Sequence, residues 1–217
     1  MPGYFVLRSP SQAGTPEEGL YGSQSSDQRR LTRQYYKSCT ITGDVDFIFG
    51  GADAVFDACT ITCNDRMHSA FTDEVVLTGT AKSHLDKDQI DTRERFINGY
   101  ITAACGLKED LGFVFRNCTI GGADGCEAGS VFLGRPWRDE ARTVFLDCTM
   151  DDTIASERFS GWGGINKEHP DTYYGEFGTK DADLSNKNPW VRDIDEKSAA
   201  EIFRRADEIV LTCIAGS

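Results

Sequence analysis

The sequence predicts an all-β chain, wound as a parallel β-helix and closed by a C-terminal amphipathic helix. Three observations support this. A cysteine-centred motif recurs four times, strand-forming pieces return every 20 to 30 residues, and helical periodicity is confined to the last 25 residues. Together they describe a stack of short repeating units with one different element at its end.

The motif reads Y-K-S-C-T-I from Tyr36, F-D-A-C-T-I from Phe56, F-R-N-C-T-I from Phe115 and F-L-D-C-T-M from Phe145. An aromatic residue precedes each cysteine by three positions, and Ile or Met follows it by two. The first two copies start 20 residues apart and the last two 30 apart, while the middle interval of 59 leaves room for two or three more units. Related strand-like pieces begin at Ala54, Glu74 (E-V-V-L-T-G-T), Gly99 (G-Y-I-T-A-A), Gly112 and Thr143. Units this short cannot bury a face alone, so they must stack. Stacking turns the cysteine and aliphatic positions into internal ladders, with free thiols as small, polarisable packing. An antiparallel β-sandwich with coincidental cysteine spacing is the competing arrangement, and four matches at three linked positions weigh against it.

The terminal element runs from Asp193 to Val210, D-I-D-E-K-S-A-A-E-I-F-R-R-A-D-E-I-V. Ile202, Phe203, Ala206 and Ile209 recur at helical spacing. Acids lead, and Arg204 and Arg205 follow, as the helix dipole favours. Residues 163–192 are rich in Gly, Asp, Asn and Pro and read mostly as loop. The chain thus forms a single domain over 1–217: an atypical segment 1–19, coils over 20–162, a loop-rich segment 163–192 and a helix over 193–210.

Composition narrows the function classes. With 217 residues, 39% hydrophobic and 27% charged, the chain is long enough for one sizeable core. A net charge of −12 argues against nucleic acid or anionic lipid as partner. No apolar run approaches the roughly 18 residues of a membrane span. Cys59 and Cys63, with His68 nearby, lack a second pair to complete a zinc site, so no metal is expected. The opening M-P-G-Y-F-V-L-R-S-P-S-Q has no basic start followed by a long apolar core. At face value that places the chain in the cytoplasm; the alternative is an exported protein cut or mis-started here.

The chemistry concentrates in G-D-V-D-F-I-F-G-G, Gly43 to Gly51, where two acids interrupt a strongly strand-forming run. Residues two apart on a strand share a face, so Asp44 and Asp46 can form an acid–base pair or line a groove. Asp44 sits at the polar entry and reads as groove wall. Asp46, between Val45 and Phe47, needs a partner if it is to stay ionised. The best candidate partner lies in L-G-R-P-W-R, Leu133 to Arg138, with an ordinary surface loop as the alternative reading of R-P-W. Gly134 permits an unusual turn and Pro136 stiffens it, so Arg135 and Trp137 are held. A guanidinium can bind a carboxylate through two donors, and a fixed indole beside it offers a platform for a sugar ring.

G-D-V-D-F-I-F-G and L-G-R-P-W, on a ladder of x-x-C-T-I coils, resemble the pectin methylesterases, or pectinesterases. R-R-L-T-R-Q-Y-Y-K-S-C, G-Y-I-T-A-A, G-W at Gly161 and D-T-Y-Y-G-E-F at Asp171 extend the resemblance from about Leu20 to Val210. It implies a right-handed parallel β-helix, no cofactor, methyl-esterified pectin (homogalacturonan) as substrate, a monomer and an extracellular location. By the same resemblance, Asp46 is the nucleophile toward the methyl-ester carbonyl and Arg135 orients and charge-stabilises it. Trp137 and Trp162 stack on sugars, with Phe49 and Tyr21 beside the cleft. A second acid protonates departing methanol and then activates water, while glutamine amides stabilise the oxyanion.

The pattern breaks upstream. The family's Q-D-T-L-Y motif has its nearest match in E-E-G-L-Y, Glu17 to Tyr21. Glu18 then stands for the acid–base aspartate and Glu17 for an oxyanion glutamine. The Q-A-V-A-L-type segment of an earlier coil has no counterpart, since Gln12, Gln24 and Gln28 are not placed by motif. Three expectations follow: an esterase with an altered acid–base motif, a β-helix that only binds pectin, or a truncated form needing the missing coils. Pectate-lyase-like chemistry would require a calcium-binding acidic cluster, which nothing beyond Asp44 and Asp46 suggests.

Overall fold

A computed structural model describes residues 5–7, 32–66, 96–162 and 171–215. Within them the chain winds through three parallel sheets. The first holds β1 (Phe5–Leu7), β4 (Val45–Gly50), β7 (Gly99–Ala104) and β10 (Val131–Gly134), in that order. The second holds β2 (Arg33–Lys37), β5 (Asp53–Asp57), β8 (Phe113–Arg116), β11 (Arg142–Leu146), β13 (Tyr173–Phe177) and β14 (Arg192–Asp193). The third holds β3 (Thr40–Gly43), β6 (Thr60–Cys63), β9 (Thr119–Gly122) and β12 (Thr149–Met150). Every described pairing is parallel, as a β-helix requires.

The repeated motif spans the corner between the second and third sheets, and each of its positions has a physical task. The aromatic position stacks: Tyr36 on Phe56 at 4.9 Å, Phe56 on Phe115 at 4.5 Å and Phe115 on Phe145 at 4.6 Å. The residue before each cysteine turns the corner in the left-handed region, with φ of 51° at Ser38, 50° at Ala58, 53° at Asn117 and 52° at Asp147. Each motif cysteine after the first then donates to the aromatic carbonyl of the preceding coil: Cys59 to Tyr36 (3.6 Å), Cys118 to Phe56 (3.5 Å) and Cys148 to Phe115 (3.6 Å). A thiol is small enough for the interior and still a weak donor, which suits it to this position. All eight cysteines are free.

Period-two alternation does the rest. On β5, β8 and β11, Phe56, Phe115 and Phe145 enter the core inside the coil, while Val55, Val114, Val144 and Leu146 form a second cluster. That second cluster is covered by α1 (Glu196–Ala215) through Ala199, Ile202, Ala206 and Ile209. Arg116 ties helix to sheet, bonding Asp207 at 2.6 Å and Asp57 at 2.9 Å. No helix among the described residues is long and apolar enough to cross a membrane.

Two boundaries differ from the sequence expectation. The helix begins at Glu196 rather than 193, because the Asp195 carboxylate caps it by accepting from the Ser198 N–H at 2.7 Å. It also continues past Val210 to Ala215. The segment 163–192, expected mostly as loop, contains β13, a fifth rung paired residue for residue with β11. Gly178 (φ 62°) turns its corner, but Thr179 replaces the cysteine and Glu176 the aromatic residue. Glu176 is buried there and pairs with the fully buried Arg158, each carboxylate oxygen accepting at 2.9 Å. Glu74 and its strand-like piece lie outside the described residues.

Candidate active site

The first sheet presents the site. Between β4 and β7 the register steps from Val45↔Tyr100 to Ile48↔Thr102, three residues against two, which is a β-bulge. Asp46 is the bulged residue, with φ of 52°. The consecutive residues Phe47 and Ile48 both join the core as a result. Simple alternation therefore fails at this point. Asp44 and Asp46 have separate partners, Asp44 Oδ1 accepting from Asn64 Nδ2 at 2.9 Å. Left-handed backbone is costly for most residues and tolerated by Asp, and such strain concentrates at functional positions.

Arg135 meets Asp46 across 89 residues of sequence. Its Nε donates to Oδ1 at 3.1 Å and Oδ2 at 3.2 Å, and its Nη2 donates to Oδ2 at 2.7 Å. The Arg135 side chain is 7% exposed and that of Asp46 20%, so the pair is largely withdrawn from water while the carboxylate still opens outward. A guanidinium so placed favours the ionised carboxylate and fixes its orientation.

The turn carrying Arg135 is clamped at several points. An added Cβ at Gly134 would lie 1.9 Å from Thr102 Oγ1, so only glycine permits this approach of β10 to β7. Thr102 Oγ1 donates to the Leu133 carbonyl at 2.9 Å, and the Arg135 N–H donates to the Thr102 carbonyl at 2.9 Å. The buried Tyr174 hydroxyl donates to the Arg135 carbonyl at 3.2 Å. Burial pushes that phenol well above its usual range, so it stays a donor. Thr102 and Tyr174 fall inside G-Y-I-T-A-A and D-T-Y-Y-G-E-F, but in sequence a strand Thr and a strand Tyr carry no signal of what they hold.

Around the pair lies a cleft of about 320 Å³ lined by Val45, Asp46, Phe49, Ala103, Trp137 and Trp162. Trp137 and Trp162 stack at 6.2 Å with 20° between their planes, and Phe49 meets Trp137 edge-on at 6.1 Å. Trp162 is 40% exposed. Five of the seven residues singled out for function (Asp46, Arg135, Trp137, Trp162 and Phe49) thus converge on one cleft. Glu18 and Tyr21, with Glu17, lie outside the described residues. Among the described residues no group of three or more His, Cys, Asp or Glu is placed to hold a metal ion. The surroundings are apolar with one carboxylate at the floor, a setting for nucleophilic attack on an uncharged carbonyl.

Comparison with known proteins gives a consistent picture. The family model described as Pectinesterase matches residues 19–104 and 76–207. Probable pectinesterase 8 of Arabidopsis thaliana is 33% identical over 188 residues, covering 84% of this chain and 40% of its own length. Probable pectinesterase/pectinesterase inhibitor 64 of Arabidopsis thaliana is 32% identical over 203 residues, covering 86% of this chain and 30% of its own. The chain therefore spans well under half the length of these relatives. Among solved structures, pectin methylesterase from carrot aligns with a TM-score of 0.57 at 23% identity, over 78% of this chain and 48% of that one. Pectin methylesterase from Yersinia enterocolitica aligns with a TM-score of 0.52 at 26% identity, over 77% and 51%.

Proposed function

Because the chain belongs to the pectinesterase family and carries its right-handed parallel β-helix, we propose that it hydrolyses methyl esters of galacturonate units in pectin, releasing methanol. The Asp46 carboxylate attacks the ester carbonyl carbon, and the carbonyl electrons move onto oxygen. When that oxyanion collapses, methoxide leaves and takes a proton from a second acid, giving an acyl-enzyme anhydride and methanol. The same acid, now a base, activates a water that cleaves the anhydride and restores Asp46. We assign the second acid to Glu18. Arg135 holds the attacking carboxylate ionised and oriented. Trp137 and Trp162 supply flat apolar faces for the sugar ring, with Phe49 beside them, and we assign a sugar-contacting role to Tyr21 as well. Pectin is a wall polymer, so this activity belongs outside the cell.

The observation that supports this most is the two-donor contact of Arg135 with Asp46 at the floor of an indole-lined cleft. The replacement of Q-D-T-L-Y by E-E-G-L-Y favours a second reading, a β-helix that binds pectin without turning it over. Methanol release from highly methylated pectin, comparing the chain with Asp46→Asn, separates the two. Release that disappears in the variant supports the esterase. A folded protein that binds pectin but releases no methanol supports the binding module.

A further inference from the structure

Arg135 meets two aromatic rings as well as Asp46. Its guanidinium carbon lies 4.2 Å from the centre of the Tyr100 ring and 4.5 Å from that of Trp162. The two rings differ in kind. Trp162 is 40% exposed and borders the cleft, so a bound sugar can meet it. Tyr100 is 3% exposed and absent from the cleft lining. Its ring stacks on Phe132 at 5.5 Å with 13° between the planes, in a cluster with Ile97, Ala155 and Val45.

We propose that Tyr100 is a positioning residue, a fixed aromatic floor that keeps the Arg135 guanidinium in its two-donor contact with Asp46. The inference deepens the esterase proposal and rests on it for its catalytic consequence. An arginine side chain has several rotatable bonds, and hydrogen bonds to one partly exposed carboxylate leave it free to swing with that group. A π face beneath the cation attracts it without competing for its N–H donors. Because the ring is locked by Phe132, the position it imposes is fixed before substrate arrives. Tyr100 also sits opposite Val45, the last paired residue before the bulge that presents Asp46, so one residue of β7 braces both partners.

The test compares Tyr100→Phe, Tyr100→Leu and Tyr100→Met, the last an unbranched, adaptable gap-filler without a π face in case the leucine variant fails to fold. Two readouts are taken: kcat and KM for methanol release, and the NMR signal of the Arg135 Nε–H, assigned through its loss in Arg135→Lys. The phenylalanine variant is expected to keep kcat within about 2-fold and to retain the signal. The leucine or methionine variant is expected to lose about 10-fold in kcat with KM nearly unchanged, and to broaden or shift the signal toward that of a mobile arginine. The proposal is overturned if the π-less variants keep kcat or the Nε–H signal, if they change KM alone, or if phenylalanine is as impaired as leucine. If the parent chain releases no methanol, the esterase reading fails, while the Nε–H comparison still decides whether Tyr100 holds Arg135.

Discussion

Replacing Arg135 separates the two things a guanidinium supplies, charge and geometry. Arg135→Lys keeps the positive charge but offers a single nitrogen where Nε and Nη2 now make three contacts with Asp46. The loss amounts to about one charge-assisted hydrogen bond, about 1.5–3 kcal/mol. Felt wholly in the transition state, that is about 10- to 150-fold in kcat. Arg135→Gln keeps donors and removes the charge, leaving the Asp46 carboxylate in an apolar cleft without its cation. Its carboxyl pKa then rises, because both burial and the lost attraction disfavour the ionised form. Attack requires the ionised form, so the acid limb of the kcat/KM profile moves to higher pH in Arg135→Gln and stays in place in Arg135→Lys. Methanol release measured from about pH 4 to about pH 9 on both variants reads out the two effects together. A lysine variant within 3-fold of the parent, or identical acid limbs for the two variants, would refute the assignment of Arg135 as orienting partner of a nucleophilic carboxylate.

Two further outcomes concern the scaffold. Glu176→Ala leaves Arg158 buried without its anion and is expected to cost about 3–5 kcal/mol in urea unfolding, whereas replacing both residues by apolar ones recovers most of it; a single-variant cost below about 1 kcal/mol would show that the pair carries little. Asp53 is 5% exposed and its carboxyl is pushed upward mainly by burial, although it accepts from the Gly112 N–H at 2.8 Å. A raised folded pKa means its contribution is fully present below the unfolded value and is lost as pH rises through the folded one. Asp53→Asn keeps the acceptor, so the stability difference between parent and variant should grow in the variant's favour from about pH 4 upward, and a difference that is flat with pH would contradict this.

The coils were legible because stacking makes the same demand at every turn. Each corner needs a tolerated left-handed residue and each rung a ring and a small interior group, so the motif repeats visibly. The fifth rung escaped because Glu176 and Thr179 replace the very residues that announce the others, and only Gly178 keeps the corner. At the site, the pairing of Asp46 with Arg135 followed from chemistry, since a carboxylate among apolar neighbours needs a cation. The bulge at Asp46 was hidden, because alternation is the default expectation for a strand and an inserted residue leaves no mark in composition. Tyr100 was hidden for a related reason. In sequence it is one of several strand aromatics, and its role depends on which side chain crosses over it.

That crossing follows from the spacing of the coils. Asp46 stands on β4 and Arg135 just beyond β10, with β7 between them. Neighbouring strands lie about 4.8 Å apart, so the partners are separated by roughly 10 Å of backbone. An extended arginine reaching toward an aspartate can span that distance, and the bulge helps by lifting Asp46 out of the regular strand. The intervening strand must leave the path open and still support what passes over it. β7 does both, with the small Ala103 lining the cleft and the Tyr100 ring lying under the guanidinium. A carboxylate and its cation placed on adjacent rungs would need only short side chains and would have no strand between them to support the guanidinium. Placing them two rungs apart makes their separation a property of the backbone repeat.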